Sequence, residues 1–149
     1  MTFDEEELAA LSEAQLDVLR EIGNVGAGNS ATALSRLIKY RIEMNVPHVA
    51  LVPIEEVPEF VGGPELVVAG IFLRVYGKAP SNILFLIPQE SAFALVDTLY
   101  GRERGATSEF DLMDESALME IGNILAGSYL NAFYSFTGIS MLPSVPALA

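Results

Sequence analysis

The sequence predicts an α+β fold in which two long helices, related by a pseudo-twofold repeat, pack on antiparallel strands. Three observations predict it. Hydrophobic residues recur at helical spacing, then alternate, then return to helical spacing twice. The chain repeats itself: a shift of 99 positions places Asp17–Ala50 on Ser116–Ala149, with identities that include Leu19/Leu118, Glu21/Glu120, Ile22/Ile121, Gly23/Gly122, Asn24/Asn123, Ala27/Ala126, Gly28/Gly127, Ala33/Ala132, Val46/Val145 and Pro47/Pro146. Finally, 51% of the 149 residues are hydrophobic and 19% charged, which supplies a core and excludes overall disorder. Two copies suit a pseudo-twofold molecule, whereas a solenoid needs three or more.

The first helix begins at Ser12-Glu13-Ala14-Gln15, where Ser12 caps free amides and Gln15 reaches back, and it runs to about Leu37. From Arg41 to Ile54 the pattern is extended. Pro58 and Gly62-Gly63-Pro64 break the chain. Leu66–Tyr76 and Asn82–Ile87 read as an antiparallel hairpin closed by Gly77-Lys78-Ala79-Pro80. Gln89–Tyr100 reads as a helix stopped by Gly101, Arg102–Ser108 as a polar loop, and Asp111–Phe136 as the second long helix, ended by Gly138. One domain is expected over residues 1–149, with a first half at about 12–100 and an incomplete second half at about 111–149.

Composition excludes several classes of function. The net charge is −12, which repels nucleic acid and anionic lipid. With no cysteine there is no disulfide, thiolate nucleophile or cysteine zinc site, and the single histidine, His48, excludes a two-histidine metal site. No apolar run approaches a membrane span, and the start, Asp4 to Glu7, is acidic where a signal peptide is basic, so a cytoplasmic location is expected. Gly26-Ala27-Gly28-Asn29-Ser30-Ala31 matches a dinucleotide fingerprint but sits inside a helical pattern rather than after a strand. Asp17 and Glu21 form an i, i+4 carboxylate pair, but Ser116 replaces the Asp in the second copy, so a metal site is not expected there.

The repeated polar residues fall on one stripe. At about 100° per residue, with Asp17 at about 0°, Glu21 lies near 40°, Asn24 near −20° and Gly28 near 20°. Val18, Leu19, Ile22, Val25 and Ala33 fall opposite and are the expected buried face. Ser116, Glu120, Asn123 and Gly127 trace the same stripe in the second copy. Exposed helical glycine costs about 1 kcal/mol relative to Ala, so Gly28 and Gly127 suggest close approach by another molecule's backbone. Gly23 and Gly122 lie off the stripe and suit close packing inside the protein.

The spacing Asp17-x3-Glu21-x2-Asn24-x22-Pro47 recurs as Ser116-x3-Glu120-x2-Asn123-x22-Pro146. With the phrases Glu21–Gly28 and Glu120–Gly127, this resembles the CheC family of phosphatases, which act on the phosphorylated chemotaxis response regulator CheY. CheX and FliY belong to the same wider family. The resemblance implies that Asn24 and Asn123 are catalytic amides and that Glu21 and Glu120 are their acidic partners. Asp17 and Ser116 would support them, and Pro47 and Pro146 would shape the strand beside the helix. It implies no cofactor of the chain's own, since Mg²⁺ and a lysine belong to the regulator. It also implies CheD as a second partner.

CheC-like chains continue beyond the second proline with further strands, whereas here the second copy stops three residues after Pro146. A truncated second half, an open sheet edge and self-association through that edge are the resulting expectations. The alternative function is a non-enzymatic interaction module, either a flagellar-switch component or an adaptor for CheD.

Overall fold

The computed structural model describes residues 13–39, 50 and 52–149. The Ser12 cap, the acidic start, Pro47, His48 and most of the extended reading after Arg41 lie outside the described residues. The elements run α1 (Glu13–Ile38), a 3₁₀ turn at Ile54–Glu56, α2 (Val57–Phe60), β1 (Val68–Gly77), β2 (Ser81–Pro88), α3 (Gln89–Leu99), α4 (Leu112–Thr137), β3 (Met141–Pro143) and β4 (Ala147–Leu148). Both long helices have 26 residues. Glu13 to Leu112 and Ile38 to Thr137 are each steps of 99, the same shift that aligns the repeated residues.

Sequence chemistry fixes both ends of α4. Asp111 caps it by accepting the Asp114 amide at 2.8 Å, and the Asp111 amide donates to Asp114 Oδ2 at 3.2 Å. This capping box satisfies two otherwise orphaned donors. At the other end Gly138 adopts φ 71°, and its amide reaches the Tyr134 carbonyl at 2.7 Å. Glycine takes that left-handed conformation without the steric cost of a Cβ.

β1 is the centre of an antiparallel sheet. β2 pairs along one side, with Val68 opposite Pro88 and Val75 opposite Ser81. β3 and β4 share the other side, with Val75 opposite Pro143 and Phe72 opposite Ala147. Ala69, Ile71, Leu73 and Val75 of β1 are buried, while Phe72, Arg74 and Tyr76 face out, as strand alternation requires. The inner residues meet Ala92 and Val96 of α3 and Leu118 and Ala126 of α4. Gly122 permits this contact, because a Cβ there would run into the Ile71 side chain.

A second cluster joins Leu34 of α1 to Ile121 and Leu125 of α4. α4 thus touches the sheet directly, whereas α1 leans principally on α4. That changes the expected buried face of α1. Ile22 is buried, but Val18 is 48% exposed, and Gly26, Ala27, Ser30, Ala31, Leu34 and Ile38 complete the buried set. The face is rotated because its cover is a neighbouring helix. Two features were not expected from the sequence: the helical turns over 54–60, and two short strands after α4 in place of one strand beginning.

Candidate active site

On α1 the burial of Gly26, Ala27 and Ala31 leaves Asp17, Glu21, Asn24 and Gly28 exposed. On α4 the burial of Leu118, Ile121 and Gly122 leaves Ser116, Glu120 and Asn123 exposed, with Gly127 half-buried. The two predicted stripes therefore face outward. Asp17 sits 3.7 Å from Arg20, a solvated i, i+3 pair of small energetic weight. The Ser116 hydroxyl turns back to donate to the Leu112 carbonyl at 2.9 Å.

The structure gathers the second stripe into a groove. Ser116, Met119, Glu120 and Asn123 form one side and Pro143–Pro146 the other, around an open volume of about 440 Å³. Pro146 thus stands beside the Glu120/Asn123 pair. In the first copy Asp17, Glu21, Asn24 and Gly28 share one helix face, and Pro47 lies outside the described residues.

The groove wall is a β-bulge. Two residues of β1, Leu73 and Arg74, lie opposite three, Ser144, Val145 and Pro146, between the paired positions Val75/Pro143 and Phe72/Ala147. Ser144 holds the bulge in place. Its amide donates to the Arg74 carbonyl at 2.8 Å, and its Oγ accepts the Arg74 amide at 2.9 Å. The extra residue projects outward, and Val145 is 87% exposed on the groove rim. Bulges of this kind commonly re-aim a side chain beside a functional site.

The glycines divide by role. A Cβ at Gly28 or Gly127 would meet nothing within 4 Å, so neither glycine is required by the chain's own packing. A Cβ at Gly26 would stand 2.7 Å from the Tyr129 ring, so Gly26 serves helix–helix contact.

A buried polar cluster anchors the start of α4. Asp97, at the end of α3, accepts the Gly105 amide at 3.0 Å, the Thr107 amide at 3.0 Å and the Thr107 hydroxyl. The Thr107 hydroxyl, followed by these amides and the Arg102 charge, outweighs burial and holds the Asp97 carboxyl below its ordinary range. Arg102 donates to Thr107 Oγ1 at 3.0 Å, lies 3.2 Å from Asp114 Oδ1 and stacks 4.8 Å above the Tyr100 ring. The loop read as merely polar is therefore a latch between α3 and α4.

Sequence reasoning did not single out Met119, Pro143, Ser144 or Val145 as groove residues. The repeated Val46/Val145 identity was a usable signal. Met119 gave none, because the shift aligns it with Arg20. Among the described residues no three His, Cys, Asp or Glu side chains converge as metal ligands, and no helix is long and apolar enough to cross a membrane.

A family model described as the CheC-like family matches residues 15–51 and 113–149, one match on each copy of the repeat. The chain is 40% identical over 141 residues to CheY-P phosphatase CheC of Bacillus subtilis, covering 93% of this chain and 68% of that protein. Its fold is similar to the crystal structure of Thermotoga maritima FliY, with a TM-score of 0.76 at 22% identity over 94% of this chain and 70% of that one. It is also similar to a chain of the CheX-CheY-BeF3-Mg²⁺ complex from Borrelia burgdorferi, with a TM-score of 0.54 at 20% identity over 83% of this chain and 73% of that one. The paired helix signatures and the identity spanning both copies lead to one conclusion: the chain belongs to the CheC-like family.

Proposed function

We propose that this chain is a phosphatase that hydrolyses the aspartyl phosphate of CheY, with Asn24 and Asn123 each orienting the attacking water. The observation that carries the reading is the groove in which Ser116, Glu120, Asn123 and Pro146 come together beside an exposed wall. The name of the 40%-identical relative and the CheX-CheY-BeF3-Mg²⁺ assembly of a protein of this fold support CheY as the partner.

An aspartyl phosphate is an acyl phosphate, already prone to hydrolysis. Water attacks phosphorus in line, the bond from phosphorus to the acyl oxygen breaks, and inorganic phosphate and the free carboxylate remain. A carboxamide offers both a donor group and an acceptor group and can hold that water in position. Glutamine orients water in GTPases by the same logic. Glu21 and Glu120 dock against the regulator's lysine, and Mg²⁺ enters with the regulator as part of the substrate. No general base on this chain is required.

The test is phosphate release from phosphorylated CheY. Asn24→Ala and Asn123→Ala each lower the rate in part, and the double variant falls to the hydrolysis rate of CheY alone. Removing a positioned polar group typically costs about 3–4 kcal/mol, and an acyl phosphate places the effect at or below the lower end. Wild-type release by the double variant rejects the assignment. Binding without acceleration by the unaltered chain establishes the adaptor reading instead.

A further inference from the structure

We infer that Val145 is a docking residue of the second site, inserting into an apolar surface of the phosphorylated receiver domain beside its phosphoryl group. The inference rests on the function proposed above and adds the contact that selects the partner.

A valine that is 87% exposed contributes little to its own fold. Val145 is nevertheless held firmly. It follows Ser144, which is bonded to Arg74 through both its amide and its hydroxyl, and it precedes Pro146. The Ser144 hydroxyl also donates to the Val145 carbonyl at 3.1 Å. A β-branched side chain has few rotamers to lose, so a valine on a fixed backbone docks with small entropic cost.

Its surroundings define the ligand. Pro143 and Pro146 flank Val145 in one wall of the groove, and Met119 adds an apolar side chain on the opposite side, where Glu120 and Asn123 supply polar groups. A partner that fits must carry a charged reacting group next to an apolar surface. The receiver domain that brings the phosphoryl group into this groove must present its neighbouring surface to Val145. A second copy of this chain, with its net charge of −12, would instead meet like charge.

The experiment uses a Glu21→Ala, Asn24→Ala parent, so that turnover and binding both report the second site. Release kinetics with phosphorylated CheY and affinity for beryllofluoride-loaded CheY are measured for Val145→Asp, Val145→Leu and Val67→Asp, the last at an exposed valine outside the groove. Val145→Asp is expected to raise KM and Kd about tenfold, with kcat within about twofold of the parent. Val145→Leu restores an apolar contact and brings KM back toward the parent, and Val67→Asp leaves both constants alone. Unchanged KM and Kd in Val145→Asp overturn the inference while leaving the catalytic reading standing. A fall in kcat at constant KM also overturns it, because Val145 would then act on the chemistry. A parent that neither binds nor hydrolyses overturns both readings.

Discussion

Gly26 of α1 lies directly against the ring of Tyr129 on α4, with room for a hydrogen and none for a methyl group. The shift of 99 positions carries Gly26 onto Leu125 and Ser30 onto Tyr129, so the small member of the Gly26/Tyr129 pair is on α1 and the large one on α4. Ser30 and Leu125 are both buried and carry the same inequality. The two helices are alike in length and signature, yet they seat against each other through different side chains.

Gly26→Ala is expected to destabilise the protein. Overpacking costs about 1–3 kcal/mol, and the gain in helix propensity returns up to about 1 kcal/mol. Urea denaturation is expected to show a lower midpoint with an unchanged slope.

Gly28→Ala and Gly127→Ala are expected to do the opposite to stability. Their Cβ atoms meet nothing in the chain, so each substitution gains up to about 1 kcal/mol of helix propensity. If the glycines admit the regulator's backbone, the same variants raise KM for phosphorylated CheY. A higher melting temperature with impaired turnover is the combination to measure.

Asp97 makes stability depend on pH in one direction. Its folded carboxyl titrates below the ordinary value because the Thr107 hydroxyl and the Gly105 and Thr107 amides favour the charged form. The stabilisation is complete above the unfolded value of about 4 and is lost as pH falls through the folded one. Asp97→Asn should melt lower than wild type at pH 7, and the gap should narrow as the pH is taken down toward 3.

Asp111→Ala removes the acceptor of the Asp114 amide and is expected to cost about 0.5–2 kcal/mol. Asp111→Asn keeps an acceptor and should lose less. Thermal melts of the pair separate the cap from a general loss of charge.

The long helices were legible because their signals are local: the helical period runs through each of them, and the glycine that stops α4 adjoins its last turn. The repeat added the outward placement of Glu21, Asn24, Glu120 and Asn123. Val18 was misplaced because periodicity identifies an apolar face without identifying what covers it. The α3–α4 latch was hidden because Asp97 meets Gly105 and Thr107 only after the chain reverses. The division of the last segment into β3 and β4 was hidden because Pro143 and Pro146 argue against strand pairing, while the pairing that creates both comes from β1, far upstream.

That pairing has an evolutionary consequence. The Glu120/Asn123 stripe of the second copy lies on its own helix, but the opposite wall hangs from Arg74, a residue of the first half. Recombination that exchanged residues 111–149 for those of another duplicated protein would import the Glu/Asn pair without the strand that sets its distance from the wall. Drift in the backbone of β1 is likewise felt in a groove encoded some seventy residues downstream. The two halves are therefore coupled through the Arg74–Ser144 pairing, and the second groove is inherited together with β1 rather than with its own helix alone.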